Sequence, residues 1–301
     1  MITILMSTYN GAQYLEEQLD SIFKQKMVDF KLLVRDDGST DETVNILKKY
    51  QEKYANLTYY CGNNLGCAKS FYQLVLDAPE SEYYAFADQD DVWDDIKLYS
   101  AYIKIKDHNN LPALYCSATR LVNQDLEPIY SSTNKSRVNT TLGVALTQAV
   151  APGCSFVFNN PLMNHFKQFG ANNIDIHDWS LYRIAVALNS YIVYDNCAYF
   201  SYRQHGNNLI GAQYNPINHW KGRFNRFFSR KNRNIRSIMA RRILDVYGNQ
   251  ICNENMHLLE IVANNKYSLI NKIRLIREKK IFMVKSLDNL LFKFLVLFGR
   301  V

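Results

Sequence analysis

Three carboxylates within four positions, Asp88, Asp90 and Asp91, follow directly on the apolar run Tyr83-Tyr84-Ala85-Phe86-Ala87. Like charges this close repel, and each raises its neighbours' pKa. A strand ending in Asp-x-Asp-Asp therefore points to nearby positive charge, most simply a hard divalent cation with oxygen ligands. The alternative is a solvated turn before a helix, with Asp91 or Asp94 as its N-cap. Two more polar clusters follow apolar runs, Ser7-Thr8-Tyr9-Asn10 and Asp36-Asp37, and His177-Asp178-Trp179 and Arg203-Gln204-His205 stand further along. No Gly-x-Gly-x-x-Gly follows the first apolar run and no Gly-x-x-x-x-Gly-Lys-Ser/Thr occurs, which argues against a dinucleotide dehydrogenase and a P-loop NTPase. A diphosphate bound without those loops needs a cation, and the Asp88–Asp91 cluster is suited to hold one.

The elements that must position these residues alternate in type. Ile2–Ser7, Lys31–Arg35, Leu57–Cys61 and Tyr83–Ala87 read as short strands, and Ala12–Lys26, Ala68–Leu76 and Asp94–His108 as helices. Ser39 with Glu42 three residues later reads as a capping box opening a helix through Tyr54. Strands alternating with helices of this length imply right-handed βαβ units around a parallel sheet. Ligands bind beyond the carboxyl ends of such strands, where three of the polar clusters fall. Further on, Pro112–Leu121, Phe156–Phe158, Tyr191–Tyr194 and Ala198–Tyr202 read as strands, Asp175–Trp179 introduces a helix, and the chain from Ser237 onward reads as helical.

The 301 residues suffice for one large domain with an appendage or for two domains, and 48% hydrophobic residues supply a sizeable core. The net charge of +7 is unevenly spread. Residues 1–195 carry 16 Lys/Arg against 23 Asp/Glu, residues 196–301 carry 19 against 5. A basic tail on an acidic front half points to an anionic partner. Met1–Met6 has neither the basic flank nor the length of a secretory signal and reads as a first strand. The six cysteines show no Cys-x-x-Cys pair, so they are expected reduced, mostly buried, in a cytosolic protein.

The stretches Met6–Gly11, Val34–Asp41, Asn64-Leu65-Gly66, Ala87–Trp93, His177-Asp178-Trp179 and Tyr202–Asn208, in this order, resemble the inverting family-2 glycosyltransferases of GT-A fold. Within them they resemble the bacterial rhamnosyltransferases of cell-surface polysaccharide synthesis. The likeness spans roughly residues 2–211; residues beyond Gly211 match no motif. It implies an α/β GT-A domain over 1–211, with a nucleotide-binding half (about 1–108) and an acceptor half (about 109–211), then a basic, mostly helical extension over 212–301. It also implies roles for single residues. Thr8, Tyr9 and Asn10 would line the base pocket, Asp36 would accept the base N3–H, and Asp37 would help bind the donor or orient the Gly38 turn. Asp88 would bind the ribose and Arg203 the diphosphate. Asp90, Asp91 and His205 would hold Mg²⁺ or Mn²⁺. Asp178 would be the general base, removing the acceptor hydroxyl's proton as an oxocarbenium-like centre develops. Trp93, His177 and Trp179 would line the acceptor pocket.

Each assignment has a plainer counterpart. Asp36-Asp37 would also make a turn before Gly38, His177-Asp178 a helix cap, His205 a structural histidine, Arg203 a solvated cation, and Trp93 and Trp179 core. The implied donor is dTDP-L-rhamnose, with UDP-glucose, UDP-galactose or a UDP-N-acetylhexosamine as alternatives. The implied acceptor is a saccharide on a polyprenyl-diphosphate carrier. A nucleotidyltransferase would need a glycine-rich basic first loop, which Ser7–Gly11 lacks. An adaptor that kept the fold without the chemistry would have no need of Asp178 and His205.

The tail adds a basic, aromatic stretch, Trp220–Arg242, without a single acid. After it, Leu287, Leu290, Leu291, Phe294, Leu295 and Phe298 fall on one helix face. Lys285, Asp288, Asn289 and Lys293 make that helix too polar to span a bilayer. It suits an anionic membrane surface, and the resemblance, with its lipid-linked acceptor, implies a peripheral place on the inner face of the cell membrane. The alternatives are packing on the catalytic domain or a homodimer contact. No nucleic-acid recognition motif is present.

Overall fold

A computed structural model describes residues 1–129, 138–206 and 234–301. The part of the basic stretch up to residue 233 and Asn207-Asn208 of the last motif lie outside the described residues. The chain folds as two compact units. The first comprises 1–137, 151–181 and 190–205, the second 138–150, 182–189 and 206–301. The second thus takes in two segments that the sequence reading placed in the acceptor half.

In the first unit, β1 (Ile2–Thr8), α1 (Ala12–Phe23), β2 (Phe30–Asp36), α2 (Thr43–Lys53), β3 (Leu57–Cys61), α3 (Cys67–Asp77) and β4 (Tyr83–Ala87) alternate as expected. There follow β5 (Val92–Trp93), α4 (Lys97–Ile105), β6 (Ala113–Val122), β7 (Val157–Asn159) and α6 (Asn160–Phe169); the short α5 (Leu142–Ala145) belongs to the second unit. Then come α7 (His177–Ala187), whose residues from Tyr182 on belong to the second unit, and β8 (Tyr191–Arg203). Among the described residues the strands form one eight-stranded sheet, in the order β3-β2-β1-β4-β7-β6-β8-β5. β1 pairs in parallel with β2 and β4, and β2 with β3. Every residue of β4 is buried, as a strand covered on both faces requires. Ile4, Met6, Val34, Ala85 and Ala87 of these strands share the core with Leu15, Leu19 and Ile22 of α1 and Leu98 of α4.

β7 turns antiparallel to both β4 and β6, and β6 runs parallel with β8. The two short strands expected between 191 and 202 are one strand, irregular opposite Ser117–Arg120. β5 pairs antiparallel with β8, Val92 opposite Ser201 and Trp93 opposite Phe200, a strand the sequence reading did not foresee. It displaces the start of α4 to Lys97, where no side chain caps the helix. The capping alternative for Asp91 and Asp94 therefore does not hold. Asp94 pairs with Arg120 and Asp91 is buried. The expected capping box also dissolves. Ser39 gives its hydroxyl to Asp36 at 2.5 Å, and Asp41 serves the entry to α2 by accepting from the Thr43 backbone N–H at 3.1 Å.

The second unit contains the four helices α8 (Ile235–Tyr247), α9 (Asn253–Asn264), α10 (Leu269–Arg277) and α11 (Ser286–Leu297), in line with the helical reading of the tail. Met239, Ile243 and Tyr247 of α8 and Leu258, Leu259 and Val262 of α9 are buried. The Asn255 amide bonds to Val186 O and Ala187 O, and the Ser237 hydroxyl donates to Val301 O at 2.6 Å. No helix among the described residues is long and apolar enough to cross a membrane. All six cysteines are unpaired, as expected, but only Cys116 and Cys154 are buried.

Candidate active site

The parallel strands β1, β2 and β4 deliver their polar ends to one edge, where three loops brace one another. The Tyr9 N–H donates to Gln89 Oε1 at 2.8 Å, and the Gln89 amide returns a bond to Tyr9 O at 3.1 Å. The Asn10 N–H donates to Ser39 Oγ and the Gly11 N–H to Thr43 Oγ1, each at 2.8 Å. Asn10 takes a positive φ of 47°, which asparagine tolerates better than most residues. A Cβ on Gly11 would fall 2.3 Å from Gln89 Oε1, so a side chain there would push the Gln89 amide off its bond with Tyr9. The Tyr9 side chain remains exposed.

Asp36 and Asp37 are both buried, and their carboxylates are held by donors of the protein. Asp36 accepts from Thr8 Oγ1 at 3.0 Å, Ser39 Oγ at 2.5 Å, the Gly38 N–H at 3.1 Å and the Ser39 N–H at 2.8 Å. A carboxylate offers about four acceptor sites, so none is left for a base N3–H. Asp36, not Asp37, holds the Gly38 turn, and Thr8 is buried as its partner. Asp37 pairs with the buried Arg35 and accepts the Leu65 and Gly66 N–H groups, each at 2.8 Å. One acceptor site remains on its Oδ2.

The cluster after β4 is arranged differently. Asp88 has its carboxyl pushed up to about 7, first by burial and then by the charges of Asp90 and Asp178. Asp90 meets His205, Oδ2 to Nε2 at 2.8 Å, and the His205 ring lies 4.9 Å from that of Tyr14. Pairing of β5 with β8 produces this meeting, because it sets residues 203–205 beside 90–91. Asp91 departs from the expected ligand set. It turns inward beside β5, where Oδ1 accepts the Arg203 N–H at 3.3 Å and the carboxyl meets the Cys154 thiol. Burial, then Asp88 and Asp90, hold its carboxyl well above the usual range.

Oxygen and imidazole donors beside crowded carboxylates suit a hard divalent cation, and Asp90 and His205, 2.8 Å apart, offer one of each. A second set, Asp88, Asp91 and Cys154, places its ligand atoms within 4.8 Å of one another. This inner set suits a hard cation less well, because one of its three donors is a soft sulfur. Burial, then Asp91 and Asp88, push the Cys154 thiol far up. Lys97 is also buried there, its Nζ 3.5 Å from the centre of the Trp93 ring and its pKa lowered by burial to about 8.

Asp178 stands in the first turn of α7. Its Oδ2 accepts the Gly153 N–H at 2.9 Å and its Oδ1 the Trp179 N–H at 2.7 Å. A Cβ on Gly153 would fall 2.7 Å from the Asp178 Cβ, so the loop can approach only through glycine. The carboxylate is thus oriented by backbone donors and lies close enough to Asp88 to raise its pKa.

Three further expectations change. Arg203 directs its buried guanidinium into the protein, to Glu17, Gln124 O and, through Nε, Asp90 O at 2.8 Å, with the Tyr14 ring 4.5 Å away. It therefore positions the Asp90 segment. His177 is a core residue, stacked on Phe71 at 4.0 Å and edge-on to Phe86. Trp93 is also core, its backbone N–H bonded to Ser21 Oγ at 3.0 Å. Trp179, half-buried, is the one acceptor-pocket candidate left. Sequence reasoning missed Gln89, Gly153 and Lys97. Gln89 lay inside a recognised motif, whereas nothing local marked the other two.

A family model described as "Glycosyl transferase family 2" matches residues 3–160. The chain is 34% identical over 222 residues to the dTDP-rhamnosyl transferase RfbG of Shigella flexneri, covering 69% of this chain and 74% of that protein. Its fold resembles residues 1–349 of S. aureus TarS, solved in complex with UDP-GlcNAc, with TM-score 0.60 and 20% identity over 93% of this chain and 76% of the other. It also resembles the mannosyltransferase PcManGT of Pyrobaculum calidifontis, solved with GDP-Man and Mn²⁺, with TM-score 0.54 and 14% identity over 97% and 86%. These likenesses agree with the expected GT-A architecture, and with the strand-end carboxylates in place the chain belongs to glycosyl transferase family 2.

Proposed function

We propose that this glycosyltransferase is inverting and metal-dependent, and that it moves L-rhamnose from dTDP-L-rhamnose to a hydroxyl of a polyprenyl-diphosphate-linked saccharide in bacterial surface-polysaccharide synthesis, working peripherally at the inner face of the cell membrane. The observation that carries the chemistry is the contrast at the strand ends. Asp36 and Asp37 are held by donors of the protein, while Asp88, Asp90 and Asp178 crowd together, and the buried Lys97 offsets only part of the charge on Asp88. The donor rests on the likeness to the dTDP-rhamnosyl transferase.

In this reading Tyr9 offers its exposed ring to the base. Asp37 replaces Asp36 as acceptor from the base edge, through the free site on Oδ2. Asp88 binds the ribose hydroxyls. Asp90 and His205, with Asp88 beside them, hold Mg²⁺ or Mn²⁺, which supplies Lewis-acid stabilisation of charge on the departing diphosphate. Arg203 keeps the Asp90 backbone in place. Asp178, fixed by the Gly153 and Trp179 N–H groups, takes the proton of the attacking hydroxyl, on the face of the sugar opposite the leaving group. The half-buried Trp179 offers a wall to the acceptor sugar.

A second donor reading, UDP-N-acetylhexosamine or a UDP-hexose, is favoured by the fold likeness to TarS with UDP-GlcNAc. Calorimetric titration with a panel of nucleotide sugars, in Mn²⁺ or Mg²⁺ and then in EDTA, separates the two. Selective, metal-dependent binding of dTDP-L-rhamnose supports the first. The same behaviour with a UDP-sugar overturns the rhamnosyl assignment and keeps the chemistry. Metal-independent binding removes the metal from the proposal.

A further inference from the structure

Helix α11 is apolar on two sides. Phe292, Leu295 and Val296 are buried, while Leu287, Leu290, Phe294, Leu297 and Phe298 are exposed on the other. Helix α10 repeats the arrangement on a smaller scale, with Leu275 buried and Leu269, Ile270 and Ile273 exposed. The exposed spacings, i, i+1, i+4 in α10 and i, i+3, i+7, i+10, i+11 in α11, each describe one helix face. The two helices are tied together, Lys272 Nζ of α10 donating to Leu297 O of α11 at 2.8 Å. A helix that is apolar on opposite sides has one side for its own core and one for something else. Exposed apolar residues gathered in this number mark an interaction surface.

Charge identifies the partner. Residues 266–301 carry nine Lys/Arg and two Asp/Glu, and one of those acids, Asp288, is buried. A second copy docked face to face would set this cationic rim against itself, which association disfavours. An anionic lipid surface is complementary to both features, with acyl chains for the leucines and phenylalanines and headgroups for the cations. At 12 residues, α11 is about 18 Å long, short of the ~30 Å hydrocarbon core. It must lie in the interface.

We propose that the paired outer faces of α10 and α11 form an interfacial docking platform for an anionic bilayer, with Leu290 and Phe294 entering the acyl boundary and the flanking lysines and arginines meeting phospholipid headgroups. The platform deepens the membrane part of the proposed function, names two short helices as its agent, and does not call on the basic stretch before residue 234. The test is flotation of the full chain with vesicles, without donor or metal, so that a failure here leaves the transferase reading untouched. The wild type should float with phosphatidylglycerol-containing vesicles and bind pure phosphatidylcholine at least about ten-fold more weakly. Leu290→Glu with Phe294→Glu should lower the anionic binding at least ten-fold while the far-ultraviolet circular dichroism stays unchanged. Ile270→Glu should weaken it as well, which a role for α11 alone would not produce. Should either variant misfold, Lys285→Glu with Lys293→Glu tests the rim by the same loss. The proposal is overturned if the wild type does not float, if it binds neutral and anionic vesicles equally, or if the α11 variant only dissociates a dimer in sedimentation and leaves flotation intact.

Discussion

Two neighbouring strand ends carry the same residue type and handle its charge in opposite ways. At the end of β2, Asp36 meets four internal donors, and Asp37 meets a buried arginine and two backbone N–H groups. At the end of β4, Asp88 is held in a raised state, and Asp90 has a single shared contact, with His205. Fully satisfied buried carboxylates rigidify what they hold. Carboxylates left crowded cost stability in the empty protein, and a bound cation can return it. The first pair builds the loop platform, and in the proposed reading the second cluster takes the metal and donor.

The comparison can be broken at several points. The largest effect is expected on turnover, at the ligand-facing side. Asp178→Asn should lower kcat by about 10²–10⁴-fold, the usual range for a general base, with donor binding retained in calorimetry. Loss of donor binding together with kcat would instead make Asp178 a structural cap. Next comes stability on the structural side. Asp37→Ala strips the buried Arg35 of its partner and should cost about 3–5 kcal/mol in denaturant unfolding. Its counterpart Asp90→Ala, measured in EDTA, should leave unfolding within about 0.5 kcal/mol of wild type and abolish the stabilisation that Mn²⁺ confers. Equal losses in the two variants would erase the distinction between the clusters.

The smallest effect is a pH dependence. The Asp88 carboxyl, raised by burial and by its neighbours, binds its proton more tightly folded than unfolded. That contribution to stability is complete below the unfolded pKa of about 3.8 and is lost as pH rises through about 7. In EDTA the melting temperature should therefore carry a downward component over this window that Asp88→Asn removes. Stabilisation by Mn²⁺ should be larger at pH 8 than at pH 5. A thermal series in both media checks the two together, and identical slopes for wild type and variant would place the raised carboxyl elsewhere.

Much of this was legible in the chain because it is local. Hydrophobic periods marked the β1–α1–β2 and β3–α3–β4 alternation, and motif order led to the family. The expected meeting of Asp90 with His205 came from family likeness alone, since 115 positions separate the two residues. Errors arose where an identical local pattern has two tertiary outcomes. Asp36 and Asp37 are adjacent, and which one keeps a free acceptor depends on donors brought by Thr8, Ser39 and the Leu65-Gly66 loop. Asp91 differs from Asp90 by one step, yet Asp90 lies in the turn after β4 and meets His205 while Asp91 is buried beside β5.

By itself, then, the sequence determined the alternating α/β front half, the set of strand-end carboxylates and the helical tail, which follow from periodicity and short-range spacing, and its motifs carried the likeness to the family. Only the tertiary structure decided which carboxylates are neutralised, that Arg203, His177 and Trp93 turn inward, and which helix faces of the tail stay uncovered. Those outcomes depend on which donors, rings and charges arrive from distant parts of the chain, and a buried charge is stable only in the company that the fold brings to it.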